Sequence, residues 1–315
     1  MHTPALPSAV DTRRIHPLKA WQKSLIKMAM IVTVAVTCAA VHAGPYDRGP
    51  DPTVADLEAS AGTYTVANSK IVMPSGYGGG TVYYPSATTD GPFGVVSFSP
   101  GFVNSQNINK WWASALASRG FVVIMIDTFT PFDLPGTRGN ELLASLKDVI
   151  TRSQNSSTPY YGKIDPNRRA VMGHSMGGGG SLSASASDPT LKAAIPLAPW
   201  STISNWGKDT VPTLIMAGQA DGIAPASTMA SVFYASLPST SNKAYMEFKG
   251  ADHFFPNNNG PAAIKPIMSK YAVSWLKLFV DGDTRYSKFL CGPLHDLDVA
   301  ANATLVSAYK ENCPY

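Results

Sequence analysis

The chain has 315 residues, of which 44% are hydrophobic, as in an ordinary soluble globular protein. Only 15% are charged, which is low and leaves a polar but weakly charged surface. After removal of a leader, the length fits one α/β domain. The formal net charge of +4 arises within residues 1–43, which contain five basic residues and one acidic residue, so the remainder is neutral. A neutral remainder argues against nucleic acid or an anionic membrane surface as a partner.

Residues 1–43 have the pattern of a secretory signal peptide. Two lysines precede an apolar run over 28–41, and the tripeptide VHA at 41–43 provides a cleavage site before Gly44. The run is about 14 residues long, too short to span a bilayer comfortably. An uncleaved membrane anchor is the alternative, and a start of translation at Met28 would shorten the leader. We expect cleavage, export, no stable membrane anchor, and a single domain over 44–315.

Beyond the leader, predicted strands and helices alternate from about residue 93 onward. This order indicates a mostly parallel sheet with helices on both faces, preceded by an antiparallel hairpin. The continuous apolar runs at 93–101 and 121–127 are typical of strands that are covered on both faces. The predicted strands are 64–73, 80–85, 93–101, 121–127, 169–174, 191–199, 211–219 and 243–250, and the predicted helices are 54–60, 107–120, 140–153, 181–189, 227–237 and 264–282.

A Gly-x-Ser-x-Gly motif at 173–177 lies between a predicted strand and a helix of small residues. This is the setting of a nucleophile elbow, in which Ser175 adopts a strained backbone conformation at the carboxyl edge of the sheet. Gly173 and Gly177 let the strand and the helix approach closely. The Met176 N–H at the helix N-terminus would face a developing oxyanion. A glycine-rich turn without chemistry is the alternative.

A serine nucleophile needs a base, and beyond the leader the sequence offers His174, His253 and His295. His174 adjoins Ser175, so its side chain should point away from the serine proton. His295 lies in the tail. His253 follows a predicted strand at the carboxyl edge and is the candidate base, with a surface-loop histidine as the alternative.

In folds that present a serine on a nucleophile elbow, the acid that orients the base lies between the serine and the histidine along the chain. Asp221 directly follows a predicted strand at its carboxyl end, and we predict that it holds the imidazole tautomer. A simple turn aspartate is the alternative. The remaining carboxylates of this stretch are less well placed, being at a helix end, at the wrong edge, inside a strand or next to the histidine: Asp188, Asp209, Glu247 and Asp252.

Two further features complete this interpretation. The loop after the strand 93–101 should supply the second oxyanion donor, for which the Phe102 N–H is the candidate. Cys38 lies within the leader, whereas Cys291 and Cys313 form an even pair near the end of the chain. In an oxidising compartment we expect these two to form a disulfide, with two free thiols as the alternative.

The motifs SPGF, GHSMGGGGSL, APW, QADGIAP and HFFPN resemble those of bacterial cutinases and the poly(ethylene terephthalate) hydrolases among them. The resemblance runs from about Tyr64 to the C-terminal cysteine pair. It implies an α/β-hydrolase fold without a lid domain, and it matches Ser175, Asp221 and His253 to the family triad. The oxyanion positions are matched by Phe102 and Met176.

The same resemblance implies a set of substrate-binding residues: Phe102, His174, Met176, Trp200, Ile223 and Phe254. A tryptophan of the hydrophobic core is the alternative for Trp200. His174 and Phe254 match ordinary cutinases, whereas the best-known plastic-degrading member carries tryptophan and serine there. Gly218 and Phe255 occupy the positions of its extra active-site disulfide, so that bridge cannot form. The segment between His253 and Trp275 is longer than in typical actinobacterial cutinases.

The sequence therefore predicts a secreted, monomeric serine ester hydrolase that acts on polymeric or small esters and needs no cofactor or metal. The resemblance implies cutin-like and aromatic polyesters as substrates, and the absence of a long insertion that would form a lid favours an open cleft for a polymer chain. The departures at His174 and Phe254 and the longer segment after His253 favour ester hydrolysis over efficient attack on aromatic polyester. A lipase or short-chain carboxylesterase is the nearest competing function. A non-catalytic binding protein of the hydrolase fold and a peptidase are two further classes, and these residues favour them less.

Overall fold

One β-sheet forms the centre of the computed structural model, which describes residues 44–315. The predicted signal peptide lies outside the described residues. Within them the sheet has nine strands, which are β1 Val66–Lys70, β2 Gly79–Pro85, β3 Phe93–Ser99, β4 Phe121–Asp127, β5 Ile164–His174, β6 Ala193–Leu197, β7 Thr213–Gly218, β8 Lys243–Phe248 and β9 Val306–Glu311.

The strand order is β1-β2-β4-β3-β5-β6-β7-β8-β9. The six strands from β4 to β8 in this order pair in parallel, whereas β1, β2 and β9 are antiparallel to their neighbours. The predicted mostly parallel sheet with a leading hairpin is confirmed. Parallel strands end at one edge, so the loops after β3, β4, β5, β7 and β8 are brought together there.

Helices cover both faces of the sheet. Along β4, Val122 and Ile124 pack into one apolar cluster and Val123 and Met125 into the other, because side chains alternate between the faces. This double burial explains why the central strands are apolar throughout. The helices are α1 Val54–Glu58, α2 Trp111–Ala117, α3 Pro135–Arg152, α4 Met176–Ser187, α5 Ala230–Ser236, α6 Lys265–Phe279 and α7 Pro293–Ala301.

Several element boundaries differ from the predicted ones. α3 begins at Pro135 rather than at residue 140, since proline suits the first helical turn, where its missing N–H is not needed. β5 begins at Ile164 rather than at 169, with an irregular register where it meets Phe93 and Val95 of β3. The tail forms α7 and β9, which local sequence patterns did not predict, and β9 pairs along β8.

The predicted disulfide between Cys291 and Cys313 is confirmed, with a Cα–Cα distance of 6.0 Å. It joins the segment after α6 to the segment after β9 and so holds the tail strand against the sheet. Across residues 44–315, no helix has the length and apolar character that a membrane crossing requires.

Candidate active site

Ser175 occupies the sharp turn between β5 and α4, with φ 57° and ψ -120°. A non-glycine residue rarely adopts a positive φ, because its Cβ crowds the backbone. The turn is tight on both sides. A Cβ on Gly173 would lie 2.2 Å from the Gly177 carbonyl oxygen, and one on Gly177 would lie 2.2 Å from the Ser99 carbonyl oxygen. Only glycine fits at these two positions, so the motif places the serine side chain at the carboxyl edge.

Ser175, His253 and Asp221 form a continuous chain of hydrogen bonds. The His253 Nε2 lies 2.8 Å from the Ser175 Oγ, and the His253 Nδ1 lies 2.7 Å from the Asp221 Oδ2. All three residues are buried, with 4–6% of their surface exposed. They follow β5, β8 and β7, so the shared carboxyl edge of the sheet brings together residues that lie up to 78 positions apart.

The orientation of Asp221 determines the imidazole tautomer. Its Oδ1 accepts backbone N–H groups of Ile223 at 2.9 Å and Ala224 at 2.7 Å, which leaves Oδ2 for the histidine. A carboxylate can only accept, so the His253 Nδ1 donates to it. The Nε2 lone pair then faces the Ser175 hydroxyl and can take its proton.

The structure does not bring the competing residues to this site. Asp252 caps its own turn by accepting the Phe254 N–H at 2.9 Å, and Asp209 pairs with Ser185 beneath α4. His295 lies in the tail, where its Nδ1 is 3.1 Å from the Tyr271 hydroxyl. His253 is therefore a buried member of a hydrogen-bond chain rather than a surface-loop histidine.

The amide groups of Phe102 and Met176 are placed to hold an anion. Among the described residues, neither N–H donates a hydrogen bond to another group. The Met176 N–H lies at the N-terminus of α4, where the helix dipole favours negative charge. A Cβ on Gly101 would lie 3.0 Å from the Ser175 Cβ, so the backbone just before Phe102 closely approaches the serine. A tetrahedral oxyanion formed on Ser175 would satisfy both donors.

The structure corrects the assignment of His174 to the substrate-binding surface. His174 has no exposed surface, and its Nε2 donates to the backbone carbonyl oxygen of His253 at 2.8 Å. Burial, aided by the neighbouring His253 ring, lowers the pKa of His174 to about 3, so it stays neutral. The Ser175 side chain faces the cleft. The His174 side chain, one residue earlier, therefore points beneath the serine and contacts the loop that carries His253.

The other predicted substrate-binding residues are at least partly exposed. Phe102, Ile223 and Phe254 are about half exposed, and Met176 and Trp200 are partly exposed. The Trp200 N–H donates to the Ser175 carbonyl oxygen at 2.9 Å, so this tryptophan lies beside the nucleophile rather than in the core. Their substrate contacts stay a prediction.

Sequence patterns did not indicate the contacts that hold the His253 loop. Three side-chain N–H groups converge on the Pro256 carbonyl oxygen, from Asn109 at 3.2 Å, Trp111 at 2.8 Å and Trp112 at 3.2 Å. These donors lie in and before α2, which follows the loop of Phe102. Trp111 and Trp112 lie in the predicted helix 107–120, but helical spacing does not indicate which carbonyl oxygen their indole N–H groups bind.

Gly218 and Phe255, at which the sequence excludes a disulfide, lie in closely packed surroundings. A Cβ on Gly218 would lie 2.5 Å from the Ala251 carbonyl oxygen, which leaves no room for a side chain. Phe255 is fully buried, with its ring 5.3 Å from that of Phe248. Hydrogen bonds and packing therefore hold this loop. In the part of the chain that is described, no cluster of three or more His, Cys, Asp or Glu residues could hold a metal ion.

Arg138, a fully buried residue of α3, is a second feature that sequence patterns did not indicate. Its guanidinium donates to three backbone carbonyl oxygens: Pro100 at 3.0 Å, Pro131 at 3.0 Å and Asp133 at 2.7 Å. Pro100 precedes Gly101 and Phe102, so this arginine holds the loop of the candidate oxyanion donor against the loop after β4. Arginine is suited to this role because its rigid fork offers several donors at once.

Comparison with known proteins shows which family this chain resembles. The model of a family described as PET hydrolase-like matches residues 40–314. A cutinase of Thermobifida fusca (strain YX) is 46% identical over 290 residues, which cover 91% of each chain. Cutinase 1 of Thermobifida cellulosilytica is 47% identical over 276 residues, 87% of this chain and 100% of the relative. A bis(hydroxyethyl) terephthalate hydrolase of Streptomyces coelicolor is 41% identical over 321 residues, 100% of this chain and 98% of the relative.

Proposed function

The chain belongs to the PET hydrolase-like family, and from this premise we propose that it is a serine ester hydrolase that cleaves polyesters. The observation that carries the proposal is the hydrogen-bond chain from Ser175 through His253 to Asp221, with distances of 2.8 and 2.7 Å. The names of the relatives, cutinase and bis(hydroxyethyl) terephthalate hydrolase, support the ester and polyester substrate class.

In the first half of the reaction, His253 takes the proton of Ser175 while the serine oxygen attacks the ester carbonyl carbon. The Phe102 and Met176 N–H groups bind the resulting oxyanion, and Asp221 stabilises the imidazolium. When the tetrahedral intermediate collapses, the bond to the leaving alcohol breaks and His253 donates its proton to that oxygen. The product is an acyl-enzyme on Ser175.

In the second half, His253 accepts a proton from water as the water oxygen attacks the acyl carbonyl. The same two amides bind the second oxyanion. Its collapse breaks the bond to the Ser175 oxygen, which regains its proton from His253, and the carboxylic acid leaves. The enzyme returns to its starting state without a cofactor.

A solid polyester is favoured over a soluble ester by the apolar surroundings of the serine. Phe102, Ile223 and Phe254 are each exposed by 45–53%, and they lie in the loops that carry the candidate oxyanion donor, the acid and the base. Apolar surface that is grouped in this way marks a contact site, whereas single exposed apolar residues do not. Flat ester units could stack on Phe102 and Trp200 while a polymer chain continues beyond the cleft. A lipase or short-chain carboxylesterase would use the same triad on other esters.

The test compares three substrates: a thin polyester film, a triglyceride emulsion and soluble p-nitrophenyl butyrate. We expect the wild-type protein to release soluble products from the film, and Ser175→Ala to lose at least about 10⁴-fold of the rate on every substrate. Ser187→Ala, at the exposed end of α4, is the matched control and should keep full activity. A fluorophosphonate probe should label the wild type at Ser175 and leave Ser175→Ala unlabelled.

Each remaining outcome points to one competing function. Activity on the emulsion or on p-nitrophenyl butyrate, without release from film, would establish a lipase or a short-chain esterase. Absence of labelling at Ser175 in the folded wild type would contradict catalysis and indicate a binding protein.

We also propose that residues 1–43 are removed on export and that the catalytic domain of residues 44–315 acts outside the cell as a monomer. The basic segment, the apolar run and the VHA tripeptide before Gly44 support this proposal. N-terminal sequencing of protein from the culture medium should begin at Gly44, with a sedimentation mass of one chain. Recovery of the uncleaved chain with the cell membranes would contradict it.

A further inference from the structure

The backbone N–H of Gly44 donates to the Asp47 Oδ2 at 2.8 Å. In the cleavage proposed above, water hydrolyses the peptide bond between residues 43 and 44, and the Gly44 nitrogen becomes an amine that carries three hydrogens when it is protonated. We propose that Asp47 is the binding site for this new α-ammonium group, so that removal of the leader creates an ion pair that the uncleaved chain lacks. The inference rests on the proposed cleavage and goes beyond the proposed ester hydrolysis.

Two acceptors near Gly44 have capacity that a single amide N–H leaves unused. The Asp47 side chain is only 7% exposed, and its Oδ1 is buried and accepts no hydrogen bond within residues 44–315. Among the same residues, the Gly282 carbonyl oxygen also accepts none. A Cβ placed on Gly44 would lie 3.0 Å from the Asp47 Oδ1 and 3.6 Å from the Gly282 oxygen, so both are close to this residue. A buried carboxylate oxygen without a partner is costly, and an ammonium has a donor for each of these acceptors.

The cation beside Asp47 is already bound elsewhere. The Arg285 Nε lies 3.9 Å from the Asp47 Oδ2, beyond hydrogen-bond distance, whereas the same Nε and the Nη2 donate to the Asp283 carboxylate at 2.8 and 2.7 Å. Its Nη1 and Nη2 also donate to the backbone carbonyl oxygens of Gly49 at 3.0 Å and Arg48 at 3.2 Å. Arg285 therefore orders the segment around Asp47. It leaves this carboxylate without a hydrogen-bonded cation in the described part of the chain.

The backbone between Gly44 and Asp47 is held in place by other contacts. The Asp47 N–H donates to the Gly44 carbonyl oxygen at 3.1 Å and closes a turn. The Tyr46 ring lies under the Arg168 guanidinium at 3.7 Å, and its hydroxyl donates to the Asp165 carboxylate at 3.2 Å. Chain ends are usually poorly ordered unless such contacts hold them. An ammonium at Gly44 would therefore lose little freedom when it pairs with Asp47.

The proposed ion pair lies at the opposite edge of the sheet from the candidate active site. Arg168, near the start of β5, pairs with Asp281 at 2.6 Å, and Asp281 directly precedes Gly282. Ser175 follows the other end of β5, roughly 23 Å from Arg168 at the usual rise per strand residue. We therefore expect the ion pair to change stability and to leave catalysis unchanged. Activity on p-nitrophenyl butyrate can thus confirm that each variant is folded.

A double-mutant cycle of four proteins tests the ion pair. One chain is released from a fusion partner by a protease so that it begins at Gly44. The other carries two added alanines before Gly44, which turn the Gly44 nitrogen back into an amide. Each chain is made with and without Asp47→Asn, and each contains all nine strands of the sheet. The matched control is Asp51→Asn, because the Asp51 carboxylate also lies near Arg285, at 3.7 Å, but is 79% exposed.

At pH 7 we expect Asp47→Asn to lower Tm by about 3–6 °C more in the chain that begins at Gly44 than in the extended chain. Asp51→Asn should change Tm by less than about 2 °C, and equally in both chains. Equal effects of Asp47→Asn in the two chains would overturn the proposal. The protease fixes the terminus in these proteins, so that result would refute the ion pair alone. A secreted protein that does not begin at Gly44 would instead refute the proposed cleavage.

The pH dependence separates an ammonium from one more amide donor. An α-amino group has an ordinary pKa of about 7.7–8.0, and a carboxylate in contact with it raises that pKa in the folded state. The stabilising contribution is therefore largely present at pH 7 and is lost as the pH rises through the raised value. We expect the excess loss of Tm to shrink by at least half at pH 10, and an unchanged excess would contradict an ion pair. The other charged groups at this site are guanidinium and carboxylate groups, which keep their charge over this range: Arg48, Asp51, Asp283 and Arg285.

Discussion

The Nε2 of His174 donates a 2.8 Å hydrogen bond to the backbone carbonyl oxygen of His253, so the residue next to the candidate nucleophile supports the loop of the candidate base. This contact joins the last residue of β5 to the loop after β8. His174 itself has no atom at the surface, because the residue is fully buried. The spacing between Ser175 and His253 therefore depends on a third residue that does not react.

Replacing His174 by leucine should lower both stability and turnover. The His253 carbonyl would lose its buried donor, which costs about 1–3 kcal/mol of the free energy of unfolding. We expect kcat on a soluble ester to fall about tenfold, because an imidazole displaced by even 1 Å transfers protons poorly. The apparent pKa values of the pH–rate profile should stay unchanged, since His174 is neutral at working pH. Urea unfolding and steady-state kinetics measure these effects.

The control for that variant is His295→Leu. His295 is also buried and lies 3.1 Å from the Tyr271 hydroxyl in the tail. The His295→Leu variant should lose about as much stability as His174→Leu and keep the kcat of the wild type. Equal loss of kcat in both variants would show that the effect of His174 is general destabilisation.

Glycine at position 175 should give a more stable protein than alanine. The φ of 57° is strained for any residue with a Cβ, at about 1–3 kcal/mol, whereas glycine adopts it freely. After the greater entropy loss of glycine on folding, we expect Ser175→Gly to exceed Ser175→Ala by about 1 kcal/mol in the free energy of unfolding. Denaturant titration measures the difference. A less stable glycine variant would show that the turn is unstrained.

Asp221→Asn should lower kcat by about 10⁴-fold with little change in folding. The asparagine carbonyl can still accept the Ile223 and Ala224 N–H groups, but its amide NH₂ would face His253 and favour the wrong tautomer. The neighbouring exposed Asp252 is the matched control, and Asp252→Asn should stay within twofold of the wild type. The opposite ranking in p-nitrophenyl butyrate kinetics would assign the acid to Asp252.

The raised pKa of the Glu141 carboxyl leads us to expect that the free energy of unfolding falls as the pH rises towards neutral. Burial raises the pKa of its carboxyl from 4.5 to about 7, so between these values the folded state binds more protons than the unfolded state. Its stabilising contribution is complete below pH 4.5 and is lost as the pH rises through 7. Across this interval we expect the free energy of unfolding of Glu141→Gln to fall less than that of the wild type, by on the order of 1–3 kcal/mol.

Asp209→Asn is the companion variant for that experiment. Burial raises the pKa of Asp209 to about 6, so its contribution should be lost at lower pH than that of Glu141. Unfolding curves at pH 4.5, 6 and 8 separate the two. Parallel pH profiles for the wild type and Glu141→Gln would contradict the assignment.

Removing the disulfide should affect stability alone. The double variant Cys291→Ser/Cys313→Ser releases a loop of 22 residues, which costs about 3 kcal/mol, or roughly 6–10 °C in Tm. The bond lies in the tail and contacts none of the candidate active-site residues, so kcat at 25 °C should not change. The wild type treated with a reductant should show the same Tm as the variant. A loss of kcat at temperatures where the variant is folded would contradict this separation.

Much of the fold could be predicted from the sequence because its signals are local. The apolar runs at 93–101 and 121–127 correspond to β3 and β4, and the glycine spacing around Ser175 corresponds to the turn into α4. The tail was missed because α7 is short and β9 is a partly exposed edge strand, whose pairing with β8 is a long-range contact. The start of α3 was missed because Pro135 and Gly136 resemble a turn in isolation.

The sequence by itself determined which residue types can react and which backbone shapes present them. These are a serine between glycines, and a histidine and an aspartate that each follow a strand. These follow from spacings of a few residues, which constrain local conformation directly. Only the tertiary structure decided that His174 is buried beneath the base, that three N–H groups meet on Pro256, and that Arg138 holds the loop of Phe102. Those features depend on segments far apart along the chain, and their distances are set only when the two faces of the sheet are packed.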